Sequence, residues 1–386
     1  MKILQIHNQY LFPGGEDSVV NTEAALLREQ GHEVVLFCKD NVLIDQRPFM
    51  DKVKFFCGEF VYSRKIYNEL TDLLKKERPD VVHAHNPFYI MTPAAYEACF
   101  DQGIPVVQTL HNYRFLCSAA TFFREGKVCE ECLKGGYWRG VLHRCWRGSF
   151  VSSLLLARLL HEYRRRKILD RISRFIVLSQ FSYDKFVEAG WPKDRMVIKP
   201  NSFAIDSRSC EENRQSFVLF AGALQPYKGV TMLVEAWETH LKGIPLKIIG
   251  SGPLEEYVRA HAKGDIEFLG QKTGEDVIWH MHRAALLVVP SEWYENCPRV
   301  VIEAYSCRLP VVASRLGALV EMVRDGETGL LFEPGNGADL AEKVRELFSL
   351  VDKRRLFSKQ ARECFDSSYA PEQDYRRLFE IYRGVL

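Results

Sequence analysis

Residues 286 to 304 read LLVVPSEWYENCPRVVIEA, and this stretch gives the clearest indication of the fold. Four branched apolar residues, typical of a strand that is buried on both faces, lead into a more polar loop. Pro298 then stands where a helix would begin, a position that proline favours because the first helical N–H groups have no partner within the helix. The stretch therefore predicts a strand, a short loop and a helix.

The same alternation of apolar runs and amphipathic stretches continues in both directions along the chain. It predicts βαβ units, and therefore parallel sheets in an α/β protein. The predicted strands of a first series are Lys2 to Ile6, Glu33 to Phe37, Val81 to Ala84, Pro105 to Leu110 and Phe175 to Leu178. Those of a second series are Phe217 to Phe220, Leu246 to Ile249, Ile266 to Leu269, Leu286 to Val289 and Val311 to Ala313.

A change in composition separates the two series. Residues 197 to 201 end the first series, and the polar stretch from Asp206 to Gln215 has no hydrophobic periodicity. We therefore predict a first domain over residues 1–200 and a second over residues 201–370, both Rossmann-like. We expect the carboxyl ends of both sets of strands to face a central cleft, because ligands bind at that edge of parallel sheets.

Composition excludes several classes of protein. The 52 basic and 50 acidic residues among 386 nearly balance, which excludes a globally basic nucleic-acid binder. No apolar run approaches the ~18 residues that span a bilayer, and no signal-peptide pattern follows Met1. The odd number of 11 cysteines favours reduced thiols or a metal site over a disulfide framework. We therefore expect a cytoplasmic protein.

Two carboxylates mark the segment around Pro298 as a candidate binding site. Glu295 precedes the predicted helix and Glu303 lies inside it. A helix N-terminus offers unpaired N–H groups and a positive dipole end, which suit a diphosphate. The carboxylates can accept hydrogen bonds from two parts of a polyhydroxylated ligand. Spacing alone leaves open that Glu295 is a helix-start acid and Glu303 a satisfied buried charge.

In its surroundings this segment resembles the signature of the retaining glycosyltransferases of family 4, which have the two-domain GT-B architecture. Glu295 and Glu303 are separated by seven residues, follow a Pro-Ser pair and precede an alanine and a Pro-Val strand. The resemblance covers nearly the whole chain. Further matching segments are Pro13 to Glu16, His83 to Asn86, Thr109 to Tyr113, Lys228-Gly229, Gly250 to Pro253 and Gly326 to Leu331.

The resemblance implies a transferase that moves a sugar from a UDP- or GDP-sugar to an acceptor hydroxyl with retention, without a catalytic metal. It implies a role in cell-surface polysaccharide or glycolipid synthesis, at the inner face of a membrane. It also implies that residues 371–386 form a helix that crosses back to the first domain. The implied catalytic residues are His111, Lys228 and Glu295. The implied donor-binding residues are Gly14, Gly15, Gly222, Lys228, Gly252, Glu295, Asn296, Cys297, Pro298, Arg299 and Glu303.

The resemblance assigns a task to each principal side chain. Glu303 would hold the ribose hydroxyls, Glu295 the hydroxyls of the donor sugar, and Lys228 the leaving diphosphate. His111 would face the donor sugar, although a histidine at the end of a buried strand is also typical of a satisfied core residue. A rival assignment makes the two glutamates the acid and nucleophile of a glycoside hydrolase.

One position departs from the family. The strand before Lys228 usually leads into Gly-Arg-Leu, whose arginine pairs with the diphosphate, whereas this chain has Gly222-Ala223-Leu224. A charge-assisted pair is therefore missing at Ala223. We expect another base, with Arg299 as the candidate, to replace it.

Four cysteines of the first domain form a separate candidate metal site. Cys117, Cys129, Cys132 and Cys145 have the spacing C-x11-C-x2-C-x12-C, which fits a structural zinc in an insertion at about residues 115–148. His143 is a substitute for one thiolate, and four unrelated reduced cysteines are the alternative. Only one Cys-x2-Cys pair is present.

A basic stretch overlaps the last of these cysteines. Residues 134 to 174 contain eleven Lys or Arg and two acids, interleaved with tryptophan, phenylalanine and leucine. This composition suits peripheral contact with an anionic membrane or a lipid-linked acceptor. One alternative to membrane contact is a solvated helix with one buried face and no binding role. Another, which would make the protein a non-enzyme, is a zinc-stabilised module that binds nucleic acid.

Overall fold

The computed structural model describes residues 1–9, 15–41, 55–204 and 216–386. The chain divides into two compact units. The first unit comprises Met1–Phe122, Glu130–Pro200 and Asp374–Leu386, and the second comprises Phe123–Cys129 and Asn201–Gln373. The polar stretch from Asp206 to Gln215, predicted to separate two domains, lies outside the described residues.

The first half of the chain forms a six-stranded parallel sheet and a short ribbon. Its strands are β1 (Lys2–Gln9), β2 (Glu33–Asp40), β3 (Val81–Ala84), β4 (Val106–Leu110), β5 (Phe123–Arg124), β6 (Lys127–Val128), β7 (Arg174–Val177) and β8 (Met196–Ile198). The sheet has the order β2-β1-β3-β4-β7-β8, and β5 pairs with β6 in the antiparallel ribbon. Its helices are α1 (Gly15–Glu29), α2 (Arg64–Glu77), α3 (Thr92–Asp101), α4 (Glu131–Gly135), α5 (Trp138–Leu142), α6 (Phe150–Arg165), α7 (Ile168–Arg171) and α8 (Gln180–Glu188).

The second half of the chain contributes another six-stranded parallel sheet. Its strands are β9 (Val218–Ala221), β10 (Leu246–Ile249), β11 (Ile266–Gly270), β12 (Leu286–Val289), β13 (Val311–Ser314) and β14 (Gly329–Phe332), in the order β11-β10-β9-β12-β13-β14. Its helices are α9 (Val230–His240), α10 (Glu255–His261), α11 (Gly274–Arg283), α12 (Arg299–Ser306), α13 (Leu319–Met322), α14 (Gly337–Ser349), α15 (Val351–Ser368) and α16 (Pro371–Arg383). One-turn helices at Lys193–Arg195 and Pro226–Lys228 and a π-helical turn at Phe55–Glu59 complete the described elements.

Burial explains why the strands read as continuous apolar runs. Every residue of β9, β12 and β13 is buried, as expected for strands covered by helices on both faces of a sheet. The prediction of an α/β fold with two parallel sheets is therefore confirmed. Four strands, β5, β6, β8 and β14, were absent from the predicted set. β8 is an edge strand of three residues, too short to produce a recognisable pattern.

The strand orders locate the ligand-binding edge of each sheet. The order reverses between β1 and β3 in the first sheet and between β9 and β12 in the second. Such reversal points open a crevice at the carboxyl ends of parallel strands. The site residues should therefore be sought in the loops after these four strands. No helix in the described parts of the chain is long and apolar enough to cross a membrane.

Candidate active site

In the second unit, the loops that follow β9 and β10 pack backbone against backbone. The N–H of Leu224 donates to the carbonyl of Ser251 at 2.9 Å. Gly252 has φ +150°, and a Cβ there would lie 2.7 Å from the carbonyl oxygen of Leu224. Glycine is therefore required at residue 252 for steric reasons, because only glycine adopts this backbone without strain.

The loop after β9 also packs against the end of β12. Gly229 has φ +70°, and a Cβ there would lie 1.9 Å from the carbonyl oxygen of Pro290. The N–H of Glu292 donates to the carbonyl of Tyr227 at 2.9 Å. This close approach brings Lys228, at the end of the one-turn helix, to the loop that carries Glu295.

Lys228 and Glu295 form an ion pair at the reversal point of the second sheet. The Nζ of Lys228 lies 2.7 Å from Oε1 of Glu295, which also accepts a hydrogen bond from the hydroxyl of Ser291 at 2.6 Å. The carboxylate side chain is 5% exposed, whereas the lysine side chain is 24% exposed. The pair thus presents its cation, rather than its anion, to solvent.

An aromatic pair flanks Lys228. Its Nζ lies 5.1 Å from the ring centroid of Trp293, which in turn packs 4.8 Å from the ring of Tyr227. The indole Nε1 of Trp293 is buried and has no hydrogen-bond partner among the described residues. A buried donor without an acceptor is rare in proteins and suits a ligand that supplies one.

The helix α12 begins beside these residues. Pro298 is its N-cap and offers no side-chain hydrogen bond to the first turn. Arg299 lies 3.4 Å from Glu303 across one turn of the helix. Burial raises the pKa of Glu303, and the nearby Arg299 opposes that rise. A ligand hydroxyl that donates to Glu303 would favour the ionised form in the same way as Arg299.

The other predicted donor-binding residues are placed as follows. Asn296 and Cys297 are buried in the loop before α12, and Gly222 is exposed directly after β9. Gly15 is the first residue of α1, whereas Gly14 lies outside the described residues. Their part in donor binding stays a prediction.

In the first unit, four histidines gather where β1, β3 and β4 approach their carboxyl ends. His7 lies within β1, His83 within β3, and His85 and His111 directly follow β3 and β4. The rings of His83 and His85 are 4.0 Å apart, and those of His85 and His111 stack at 5.3 Å. The Nδ1 of His85 lies 3.0 Å from the Nε2 of His111. The predicted His111 therefore belongs to a histidine cluster.

His85 and His111 line a small cavity of the first unit. Glu16, in the first turn of α1, and Asn112 also line it, and the amide of Asn112 donates to Oε1 of Glu16 at 2.9 Å. Burial, reinforced by neighbouring histidines, lowers the pKa of both His85 and His111 well below the usual range. Both rings are therefore neutral at physiological pH.

His83 has the environment of a satisfied core residue. Its Nε2 lies 2.7 Å from the hydroxyl of Thr109, and its Nδ1 lies 2.7 Å from the hydroxyl of Tyr382 on α16. It does not line the cavity that His85 and His111 share. The two histidines of the His83-Ala84-His85 segment therefore have different tasks.

A buried ion cluster adjoins these histidines. Lys199 contacts Glu23 at 2.8 Å and also pairs with Asp374. Burial alone would lower the pKa of Lys199, but Asp374 and Glu23 together outweigh it and raise that pKa. This cluster was not predicted from the sequence, because its members lie 176 and 175 residues from Lys199 and no local pattern joins them. Ser291 was given no role either, although the Pro-Ser pair was part of the recognised signature.

The predicted cysteine site is only partly assembled. A hydrogen bond between the thiols of Cys117 and Cys132 lowers the pKa of Cys117 and raises that of Cys132. Zinc requires four ligand atoms around one point, each about 2.3 Å away if sulfur. Within the described ranges, three His, Cys, Asp or Glu ligand atoms come within 4.8 Å of one another only at Glu23, His83 and His85. A zinc site that also uses Cys129 and Cys145 stays a prediction.

Comparisons with known proteins assign the chain to a family. A family model described as "Glycosyltransferase Family 4" matches residues 13–206, and one described as "Glycosyl transferases group 1" matches residues 215–349. An uncharacterized glycosyltransferase of Methanocaldococcus jannaschii is 36% identical over 180 residues, which cover 45% of this chain and 50% of the relative. The D-inositol 3-phosphate glycosyltransferase of Paenarthrobacter aurescens is 26% identical over 422 residues, covering 97% and 93%.

Solved structures show the same architecture. Anabaena HepE, determined in complex with UDP-glucose, has a TM-score of 0.67 at 19% identity and is matched over 98% of each chain. At 19% identity, the similarity between this chain and HepE supports the fold alone. Taken with the two family models, which together match residues of both sheets, it confirms the resemblance seen in the sequence. The chain belongs to glycosyltransferase family 4 and is a glycosyltransferase of the GT-B fold.

Proposed function

We propose that this protein transfers a sugar from a nucleotide-sugar donor to an acceptor hydroxyl with retention at the anomeric carbon. The ion pair of Lys228 and Glu295 beside the start of α12 carries the proposal. It combines a partly exposed cation, a buried carboxylate and an uncapped helix start at the reversal point of a parallel sheet. These three groups together suit a diphosphate bonded to a sugar.

Each part of the donor would contact a different group of the second unit. The diphosphate takes the ammonium of Lys228 and the main-chain N–H groups near Asn296 and Arg299. Glu303 accepts from the ribose hydroxyls, and Glu295 from hydroxyls of the donor sugar. Since Glu295 already holds Lys228 at 2.7 Å, a bound diphosphate competes for that ammonium group and frees the carboxylate for the sugar.

The proposed chemical step is the one that the family resemblance implies. The bond between the anomeric carbon and the diphosphate oxygen breaks while the acceptor oxygen attacks the same face of the sugar. The leaving phosphate accepts the proton of the acceptor hydroxyl, and its developing negative charge is stabilised by Lys228. Neither the family models nor the relatives support the alternatives of a glycoside hydrolase or a nucleic-acid-binding module.

Turnover of the donor tests the proposal. UDP-sugars are the first donors to try, since HepE was solved with UDP-glucose. We expect release of UDP, and we expect the freed sugar to keep the donor's anomeric configuration when it is observed by NMR before it equilibrates. Lys228→Met should lower turnover by about 10²-fold or more, as expected when transition-state charge loses its partner.

The control for that variant is Lys242→Met, because Lys242 is an exposed lysine of the same unit. Its turnover should match that of the unmodified protein. Inverted sugar as the first product would refute retention. Equal turnover by Lys228→Met would refute the assigned role of Lys228.

A second proposal concerns the acceptor side. We infer that the first unit contacts an anionic membrane, the setting expected for polysaccharide or glycolipid synthesis. Five large apolar side chains are exposed between residues 138 and 154, namely Trp138 at 56%, Leu142 at 51%, Phe150 at 45%, Val151 at 65% and Leu154 at 37%. Exposed basic side chains lie among them, namely Lys134, Arg139, Arg144, Arg147 and Arg158. Apolar groups between positive charges are typical of surfaces that lie on anionic lipid.

Vesicle binding tests this second proposal. The protein should sediment with vesicles that contain phosphatidylglycerol and not with neutral phosphatidylcholine vesicles. The double substitution Trp138→Ser with Val151→Ser should weaken binding by about tenfold, because each exposed apolar side chain contributes to insertion. The matched control is Val351→Ser with Leu356→Ser, which removes two exposed apolar residues at 46% and 54% from α15. Equal weakening by both pairs would contradict the assigned surface.

A further inference from the structure

Glu23 is a buried carboxylate that faces two histidines as well as a lysine. One oxygen, Oε1, lies 2.8 Å from the Nζ of Lys199. The other, Oε2, lies 3.7 Å from the Nδ1 of His83 and 3.6 Å from the Nε2 of His85. The side chain is 2% exposed, so water does not screen the charge that it presents to these rings.

That charge decides where His85 carries its single proton. A carboxylate attracts an N–H and repels a ring-nitrogen lone pair, so Nε2 of His85 is the protonated nitrogen. Its Nδ1 is then a hydrogen-bond acceptor. Nε2 of His111, 3.0 Å away, must donate to it. Since His111 is neutral as well, its Nδ1 is left with a lone pair.

We propose that Glu23 is a positioning residue for His111. Through His85 it holds His111 in the tautomer with a proton on Nε2, so that Nδ1 accepts a hydrogen bond. The partner for that nitrogen is a sugar hydroxyl group, and in this respect the inference rests on the proposed function. The first-unit residues Glu23, His85 and His111 then form one chain of oriented polar contacts, an electrostatic contact followed by a hydrogen bond.

The ion cluster holds Glu23 in place. Lys199 contributes one positive charge, while Glu23 and Asp374 contribute two negative charges, so the cluster carries one net negative charge beside the histidines. Asp374 lies on α16, and Tyr382 of the same helix contacts His83. The position of α16 is therefore coupled to the orientation of Glu23.

A divalent cation is the competing occupant of this cluster. The ligand atoms of Glu23, His83 and His85 lie within 4.8 Å of one another, close enough to share an ion. Two contacts oppose it. The ammonium group of Lys199 already neutralises Glu23, and the hydroxyl of Tyr382 lies 2.7 Å from the His83 nitrogen that the ion would need. The ion pair of Glu23 with Lys199 and the contact of Tyr382 with His83 therefore account for the cluster better than metal binding.

The substitution Glu23→Gln tests the inference. The ammonium group of Lys199 will continue to contact the side-chain oxygen of residue 23. The amide NH₂ then faces His85 and needs an acceptor, which requires a lone pair on Nε2 of His85. The proton of His85 then moves to Nδ1, which donates to His111, and the proton of His111 moves to Nδ1. In ¹⁵N spectra of histidine-labelled protein, both rings should exchange tautomer relative to the unmodified protein.

Tyr382→Phe is the matched control, because it removes a buried polar contact from the same cluster but touches His83 rather than His85. It should leave the tautomer of His111 unchanged. Unchanged tautomers in Glu23→Gln would overturn the inference. So would one equivalent of a divalent metal in the purified protein that Glu23→Gln loses.

Kinetics separate this inference from the proposed function. Glu23→Gln should lower kcat by about tenfold or more, because a misoriented contact group costs rate, while the donor KM changes much less. A changed tautomer with unchanged kcat would overturn the positioning role. A protein that turns over no nucleotide sugar would count against the proposed function alone, since the tautomer measurement needs no donor.

Discussion

The ammonium group of Lys228 has two competing anionic partners. Glu295 holds its ammonium group at 2.7 Å, and the proposed diphosphate would attract the same group. Pairing in the absence of donor keeps the buried carboxylate compensated, which matters because an unpaired buried charge is strongly destabilising. Ser291 supplies a second contact to the same oxygen, so the carboxylate stays oriented when the lysine turns to the donor.

The substitution Glu295→Gln tests this arrangement. It keeps the shape of the side chain but removes the charge that orients Lys228 and accepts from sugar hydroxyls. We expect turnover to fall by about 10²-fold with little change in melting temperature. Glu327→Gln, at an exposed carboxylate of the same unit, is the control for charge removal. Normal turnover in Glu295→Gln would argue against a role for Glu295 in the reaction.

Ala223 offers a test by gain of function. The residue is exposed, and the family resemblance implies an arginine at this position. Ala223→Arg should raise donor turnover, because a bidentate guanidinium adds a charge-assisted contact to the diphosphate. Steady-state assays with the best donor provide the measurement. Loss of activity would show that the space is already filled.

At the scale of elements, the sequence was sufficient to predict the strands and helices whose signals are local. The run from Leu286 to Val289, the loop and Pro298 predicted β12 and α12 because apolar continuity and proline placement are short-range properties. The short edge strand β8 lacked such a signal. Within the candidate site, Glu295 was found from its motif, whereas Glu23 and Lys199 were not, because their contact joins residues 176 positions apart.

The turn between β9 and α9 gives a prediction at this scale. In Gly229→Ala the new Cβ would lie 1.9 Å from the carbonyl oxygen of Pro290, at φ +70°. We expect a loss of about 2–4 kcal/mol in the free energy of unfolding, from backbone strain and from displacement of Pro290. Gly264→Ala is the matched control, since φ is +61° there but nothing lies within 4 Å. Urea denaturation should show a clearly smaller loss for the control, and equal losses would contradict the steric account.

At the scale of the whole molecule, the protein carries its buried titratable groups mainly as neutral rings and paired ions. Burial lowers the pKa of His7, His85 and His111, and it lowers that of His83 to about 3. In the unfolded chain these rings titrate near pH ~6.5. A group whose pKa is lower in the folded state stabilises the fold above its unfolded pKa and loses that contribution as the pH falls.

Stability should therefore decline below about pH 6.5, before carboxylates begin to protonate near pH ~4. Each such histidine contributes a slope of about 1.4 kcal/mol per pH unit to the free energy of unfolding. Urea titrations at about pH 7.5 and about pH 5 measure the decline. His83→Gln should reduce this decline in the free energy of unfolding by the contribution of one histidine. Equal stability at both pH values would contradict the neutral state of the cluster.

Calorimetric titration with nucleoside diphosphates tests whether the second unit holds a nucleotide-sugar site. We expect one nucleotide to bind in preference to the others, and we expect Glu303→Ala to lose at least about tenfold in affinity, or about 1.4 kcal/mol. Glu342→Ala, at an exposed carboxylate of α14, should bind like the unmodified protein. No binding of any nucleoside diphosphate, or equal binding by Glu303→Ala, would contradict the presence of that site.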